Sequence, residues 1–289
     1  MALLSPRSAT LELSAVSAGS GARVAGVDLA AEAAGTALAV LRVGGGTVAL
    51  ESLSLGLGDE AIVRATRDVE LIGIDCAFGW PSDFVDFVSR HSGAVEGAAA
   101  VGGVQRADPT AALEPPALEA TGDLAWRRRL AYRETDRVVT ERTGARPLSV
   151  ATDRLGMTAL RCAVLLQRLE VDGRHVDRSG QNGSAVEVYP AMALRVWGLT
   201  APGYKQSADA RRTLIADLEQ AAPWLELGEH RDLMTTSADA LDAVLAALVA
   251  LAHARGASIP PEPHQRVLAA SEGWIAIPTV SLTQLGALA

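Results

Sequence analysis

Lysine is almost missing from this chain. Lys205 is the only one in 289 residues, although Lys and Arg together number 26. That avoidance makes the single ammonium a candidate phosphate contact or proton donor; a surface accident is the other reading. Cysteine is nearly as scarce. Cys76 and Cys162 cannot build a disulfide framework or a four-thiolate zinc site. Both stand in apolar contexts, as reduced core thiols of a cytoplasmic protein do. Aromatic residues make up 4%, so the core must be built from Ala, Leu and Val. No apolar run reaches the roughly 20 residues of a membrane span, and no membrane partner is expected. Leu241–Ala254 comes closest, but it follows a capped, amphipathic pattern. Met1 to Ser20 lacks the basic-then-apolar order of a secretory signal.

Several catalytic signatures are absent too. Neither glycine-rich phosphate loop, Gly-x-x-x-x-Gly-Lys-Ser/Thr or Gly-x-Gly-x-x-Gly after a strand, is present. His91, His175, His230, His253 and His264 are scattered without ligand spacing, and there is no His-Glu-x-x-His. Arg178-Ser179-Gly180 lacks the strand–Ser–helix elbow of a serine hydrolase. The net charge of −8 argues mildly against non-specific attraction to nucleic acid, which depends on neutralising phosphates. That charge is uneven, however. Arg127, Arg128, Arg129, Arg133, Arg137, Arg142 and Arg146 cluster against only Glu134, Asp136 and Glu141. The cluster reads either as a phosphate-facing patch or as a solvated helix face with i,i+4 pairs.

What is present points to an ordered α/β protein. Hydrophobic residues reach 49% and mean hydropathy is +0.19, which excludes wholesale disorder. Residues 1–22, rich in Ser and Ala, read as an N-terminal extension. Strands are predicted over Arg23–Ala30, Thr36–Val43 and Thr47–Leu55, with Gly44-Gly45-Gly46 as a turn, so that the three form an antiparallel meander. Asp59–Val69 reads as a short helix. Glu70–Ala77 is a nearly continuous apolar strand, as expected for one buried on both faces. Ser82 caps a helix to Arg90. Residues 92–125, rich in Gly, Ala and Pro, read as an irregular insertion, which continues through a helix over Trp126–Arg142 to about residue 150. Further helices are predicted over Gly156–Leu169, Ala191–Trp197, Asp209–Gln220 and Ser237–Ala254. Ser184–Tyr189 and Gly273–Pro278 complete the strands. Residues 23–289 thus read as a single domain. Three antiparallel strands followed by parallel ones, with helices on both faces, fit a ribonuclease H-like mixed sheet. They fit a Rossmann sheet poorly, because its opening strands are separated by helices.

Acidic residues stand inside the most apolar segments: Asp28 in Val24–Ala30, Asp75 in Leu71–Phe78, Glu187 in Ala185–Pro190, and Asp242 at the start of a long apolar helix. Buried carboxylates are costly unless paired, hydrogen-bonded or bound to metal. Several converging on one point would repel each other, and a divalent cation would relieve that repulsion. Asp28 and Asp75 both stand near strand ends. Asp239 and Asp242 share a helix face by their i,i+3 spacing. Two-metal hydrolysis needs several hard oxygen ligands around ions about 3.5–4 Å apart, and Mg2+ or Mn2+ suits carboxylate oxygens. The expected metal ligands are Asp28, Asp75, Asp239 and Asp242. Each has a structural alternative: a turn cap for Asp28, a backbone hydrogen bond for Asp75, and helix-dipole complementation for Asp239 and Asp242. Glu187 could instead pair with a buried Arg, Arg133 or Arg195. Arg133 and Lys205 are candidate substrate contacts through phosphate. Trp80 and Trp274 are candidates through base stacking, with loop packing as their alternative.

The ordered segments Gly26-Val27-Asp28-Leu29-Ala30, Ile74–Pro81, Arg133–Asp136, Glu187–Ala191, Tyr204-Lys205, Asp239–Ala243 and Glu272–Ile275 resemble the domain-of-unknown-function family number 429. The members of that family are regarded as predicted nucleases of ribonuclease H-like fold. The resemblance spans roughly residues 23–278. It implies Asp28, Asp75, Glu187 and Asp242 as the acidic catalytic site and nucleic acid as the partner. The Asp-x-x-Asp helix is also similar to that of Holliday-junction resolvases of the same superfamily. A homodimer is compatible with this reading. Two other functions compete: a non-catalytic binding protein on the same fold, and an actin-like sugar kinase or ATPase. The second normally needs a duplicated domain and a further phosphate loop, which the sequence lacks.

Overall fold

Glycines set the hairpin that opens the domain. In this computed structural model, which describes residues 21–93, 124–199 and 202–288, β1 (Ala22–Asp28) passes through a short 3-10 turn into β2 (Ala37–Gly44). Gly45 and Gly46, with φ of +63° and +80°, then turn the chain into β3 (Thr47–Leu55). Both positions of that two-residue turn need a left-handed backbone, which glycine adopts without a Cβ clash. After α1 (Asp59–Ala65) comes β4 (Leu71–Asp75), buried from Leu71 to Ile74. The short strands β5 (Ala185–Glu187) and β6 (Leu225–Glu226) complete one sheet in the order β5–β4–β1–β2–β3–β6. Strands β1, β2 and β3 are mutually antiparallel; β4 runs parallel to β1, β5 to β4, and β6 to β3.

Helices cover both faces of the sheet. Among the described residues, the α-helices after β4 are α2 (Ser82–Gly93), α3 (Leu124–Ala131), α4 (Glu134–Thr143), α5 (Gly156–Val171), α6 (Pro190–Val196), α7 (Ala208–Ala221), α8 (Arg231–Thr236), α9 (Ala238–Ala254), α10 (Arg266–Glu272) and α11 (Leu282–Ala287). On one face α5 and α1 bring Cys162, Leu165, Leu169 and Ile62 against Val27, Ile72 and Ile74. On the other lies α9, in which every residue from Ala240 to Ala252 is buried. A helix apolar all round is a buried helix; here the sheet packs on one side and α6 and α8 on the other.

Two glycines decide how closely α9 approaches the sheet. Gly26 of β1 and Gly73 of β4 are register partners. A Cβ on Gly73 would stand 2.7 Å from the Ala246 oxygen. One on Gly26 would stand 2.8 Å from the Ala246 carbonyl carbon, and nearer still to the Ala247 nitrogen and the Ala243 oxygen. Ala243, Ala246, Ala247 and Ala250 face this glycine floor. The helix backbone therefore rests almost directly on the strands, two residues before each strand ends in aspartate.

The predicted hairpin, the buried strand and the long helix over Ser237–Ala254 agree with the structure to within two residues at most ends. Three departures stand against that agreement. The helix expected over Trp126–Arg142 breaks, because Arg133 adopts an extended backbone (φ −70°, ψ 166°) as the N-cap of α4. Gly273–Pro278 forms no strand; it makes only single bridges, Glu187 to Ile275 and Ser258 to Pro278. The short elements β6, α8, α10 and α11 have too few residues to show a period. The expected extension and irregular insertion fall mainly on residues 1–20 and 94–123, outside the described residues.

Candidate carboxylate site

The register of β1 and β4 places Asp28 directly opposite Asp75, each at the end of its strand. Side chains in register on adjacent strands leave the sheet on the same face. For this pair it is the α9 face, shared with Val24 and Leu71. Asp242 lies early in α9, one residue before the Ala243 that rests on Gly26. Close helix–sheet packing thus gathers three carboxylates. Asp28 and Asp75 are partly buried, and among the described residues neither accepts a side-chain hydrogen bond.

The electrostatics follow from that gathering. Burial, and then the Asp242 charge, push the Asp28 carboxyl up to about 8. Burial and the neighbouring Asp28 and Asp242 hold Asp75 well above the usual carboxylate range. Asp242, 0% exposed, is also raised by burial, although Lys205 and Tyr204 pull it back. Tyr204 Oη donates to Asp242 Oδ1 at 2.9 Å, and Lys205 Nζ pairs with Oδ2. The Lys205 ammonium moves the other way from a buried lysine. Burial lowers it, but Asp242, with Asp28 and Asp75 beside it, outweighs that and holds it above the ordinary lysine range. The two partners differ because Asp242 is sealed, whereas 46% of the Lys205 side chain meets solvent.

Lys205 stands where it does because of Arg211, a buried residue of α7. Arg211 NH1 donates to the Tyr204 carbonyl at 2.7 Å, Nε to Thr235 at 2.8 Å, and NH2 to Thr236 at 3.1 Å. One guanidinium therefore ties the Tyr204-Lys205 turn to the end of α8, which leads through the Ser237 cap into α9. The sequence reading missed Arg211 and gave Tyr204 no role of its own. A signal for Arg211 existed: it occupies the apolar face of α7, three, four and seven residues before Leu214, Ile215 and Leu218.

Glu187 must be taken out of this cluster. It pairs in register with Ile74 rather than Asp75, and a one-residue offset sends a side chain to the opposite face. There its oxygens accept from Arg133 NH2 at 2.7 Å, Arg133 NH1 at 2.8 Å and the Phe78 amide at 3.0 Å. Arg133, only 3% exposed, also holds Asp136 through NH2 at 2.8 Å and donates to the Glu272 carbonyl at 3.1 Å. Burial would lower the guanidinium, but Glu187 and Asp136 outweigh it and hold it above its ordinary range. Arg133 therefore has no face left for a phosphate, and its expected substrate contact is replaced by a structural ion pair. Gly273 is required beside it: with φ +95°, a Cβ there would stand 2.5 Å from Glu187 Oε2. The Glu272 carboxylate extends the network to the Ser82 and Glu134 amides, both at 2.8 Å.

The tryptophans also differ from expectation. Trp274 is buried, and its Nε1 donates to the Ile259 carbonyl at 2.9 Å; an enclosed ring offers no face to a base. Trp80, partly exposed on the loop after Asp75, packs against the Ala77–Val150–Ala159 cluster. Asp239 is partly buried in the first turn of α9 and adds its charge to both Asp28 and Asp242.

The donor set suits a hard cation. Two carboxylates that accept from no donor among the described residues lie beside a third, all raised by burial, and a divalent ion would offset that cost. Among the described residues, no three Asp, Glu, His or Cys side chains are grouped closely enough to hold an ion as they stand. Both oxygens of Asp242 are already engaged.

A family described as "Protein of unknown function (DUF429)" matches residues 26–266. The chain belongs to this family. The matched span contains Asp28, Asp75, Lys205, Arg211 and Asp242, and ends before Glu272 and Trp274. No curated protein and no solved structure matches the chain. No helix among the described residues is long and apolar enough to cross a membrane.

Proposed function

We propose that this protein is a divalent-metal-dependent nuclease of ribonuclease H-like fold, hydrolysing phosphodiester bonds at Asp28, Asp75 and Asp242. The observation that carries the reading is the in-register pair Asp28–Asp75, free of hydrogen-bond donors among the described residues and lying under the first turns of α9. The sheet order supports the fold assignment, with three antiparallel strands continued on the other side of β1 by parallel ones. Asp28 and Asp75 would hold Mg2+ or Mn2+, and Asp242 would contribute the third carboxylate. The ion, when bound, supplies Lewis-acid and water-activating chemistry.

The chain's own groups do the rest. Asp28, pushed up to about 8 by burial and Asp242, holds a proton near neutrality, with which a cation bound there would compete. Lys205, half exposed beside Asp242, offers an ammonium to a phosphate oxygen. Trp80 presents a partly open ring on the loop that follows Asp75. Arg133, Asp136 and Glu187 position that loop through the Phe78 amide. Cys76 and Cys162 fit a cytoplasmic location, where thiols stay reduced.

The Lys205–Asp242 pair favours a second reading, in which the ammonium is the permanent counter-charge and the protein binds without cutting. A panel of labelled single-stranded, duplex, hybrid and branched DNA and RNA separates the two. The nuclease reading expects cleavage with Mg2+ or Mn2+, none with chelator, and none by Asp28→Asn or Asp75→Asn. Intact substrates throughout, with wild-type and variants equally inert, would overturn it.

A further inference from the structure

Of the three gathered carboxylates, Asp242 is the one that touches a counter-charge among the described residues, while the same ammonium acts on Asp28 and Asp75 from further away. Lys205 Nζ sits on Oδ2, Tyr204 Oη on Oδ1, and the ammonium lies 5.5 Å from the Tyr204 ring centroid. The backbone beneath is fixed by Arg211, so the ammonium is carried on a rigid turn by a side chain that is itself half exposed. Such a lysine moves by rotating its stem, without any change of backbone. Among the described residues, Asp28 and Asp75 have no cation in direct contact. When all three carboxylates are ionised, one ammonium leaves the group two charges short of neutrality.

We propose that Lys205 is a tethered counter-cation, which a divalent ion displaces from Asp242 and which then faces the substrate phosphate. The proposal rests on the metal-dependent reading above. Exchange releases Asp242 Oδ2 toward the Asp28–Asp75 pair while Tyr204 keeps hold of Oδ1. A divalent ion among three carboxylates gains more Coulomb energy than an ammonium on one of them. The displaced ammonium, still held near by its turn, meets the negative charge that a phosphodiester brings. Ion binding and phosphate capture are thereby coupled through one side chain, with no bond made or broken.

The lone lysine makes the exchange observable. Reductive methylation with 13C-formaldehyde keeps the positive charge and labels one lysine, giving a dimethyl-lysine NMR signal distinct from that of the amino terminus. Adding Mg2+ is expected to shift this signal saturably in the wild type but not in Asp75→Asn. Calorimetric titration of Mn2+ is expected to show about tenfold tighter binding by Lys205→Met, because a competing cation is gone. A merely structural lysine would instead lower the melting temperature of Lys205→Met without tightening the ion. An unmoved signal and an unchanged affinity, with Mn2+ still bound by the wild type, would overturn the exchange and leave the metal site standing. No ion bound by either protein would overturn the metal reading and the exchange with it.

Discussion

Gly26→Ala adds one methyl group at the tightest point of the fold. The new Cβ would stand 2.8 Å from the Ala246 carbonyl carbon and closer to two further backbone atoms of α9, whereas ordinary contact begins at 3.4 Å. The obstructing atoms belong to the helix backbone, so no rotamer change relieves them. The helix has to retreat by about 1 Å, and overpacking that a core cannot absorb costs about 1–3 kcal/mol, more where backbone moves. Here α9 is buried along its length and packs against sheet and helices at once, which puts the expected loss at about 3 kcal/mol or above. Urea denaturation measures it directly. The same retreat lifts Asp242 from Asp28 and Asp75, so the folded fraction should also bind Mn2+ more weakly. Adding Ala247→Gly should not restore stability, because it deletes a side chain and leaves the colliding atoms in place. A Gly26→Ala protein within 0.5 kcal/mol of wild type, at a scale where core overpacking is normally felt, or a rescue by Ala247→Gly, would refute the packing argument.

Three further outcomes are expected. Arg133→Met strands Glu187 and Asp136 without their partner, and breaking a buried ion pair from one side costs about 3–5 kcal/mol; a chemical-denaturation midpoint near that of wild type would contradict it. Asp28 binds its proton more tightly when folded, so stability in chelator should fall as pH rises from about 4 to about 8, by at most about 1.4 kcal/mol per pH unit from this group. Asp28→Asn should flatten that slope and be the more stable protein at pH 8; a variant less stable there than wild type would reverse the sign of the argument. Tyr204→Phe removes one donor to a sealed carboxylate and should cost about 1.5–3 kcal/mol, measured by thermal melting against wild type.

Much of the sheet was legible because its signals are local. Gly45-Gly46 marks the hairpin, and the run Leu71–Ile74 marks a strand buried on both faces. Asp28 and Asp75 could each be placed near a strand end, but that the two strands are parallel neighbours with the aspartates in register is seen only in the fold. Glu187 could not be assigned to a face, because its side depends on whether β5 aligns residue 187 with residue 74 or with residue 75. No sequence period carries that one-residue choice. The Arg133 network was partly legible: Asp136 lies three residues along the same helix, and Arg133 or Arg195 was expected as a partner for Glu187, but the choice of Arg133 and its bond to the Glu272 carbonyl join segments distant in sequence and needed the fold. Trp274 was read as a stacking platform from its residue type alone, whereas its indole serves to satisfy the Ile259 carbonyl in a sealed corner. Arg211 was overlooked because a single arginine on an amphipathic helix looks like a surface residue until its apolar neighbours are counted.

The central claim is that the Asp28–Asp75 pair holds a divalent cation. Calorimetric titration of Mn2+ into wild-type protein and Asp75→Asn at pH 8 tests it most directly, with melting temperatures taken alongside. The account predicts saturable binding by the wild type, its loss in Asp75→Asn, and a variant that melts no lower than the metal-free wild type, since a repelling carboxylate is gone. Equal binding by both proteins, or none by either, would contradict it.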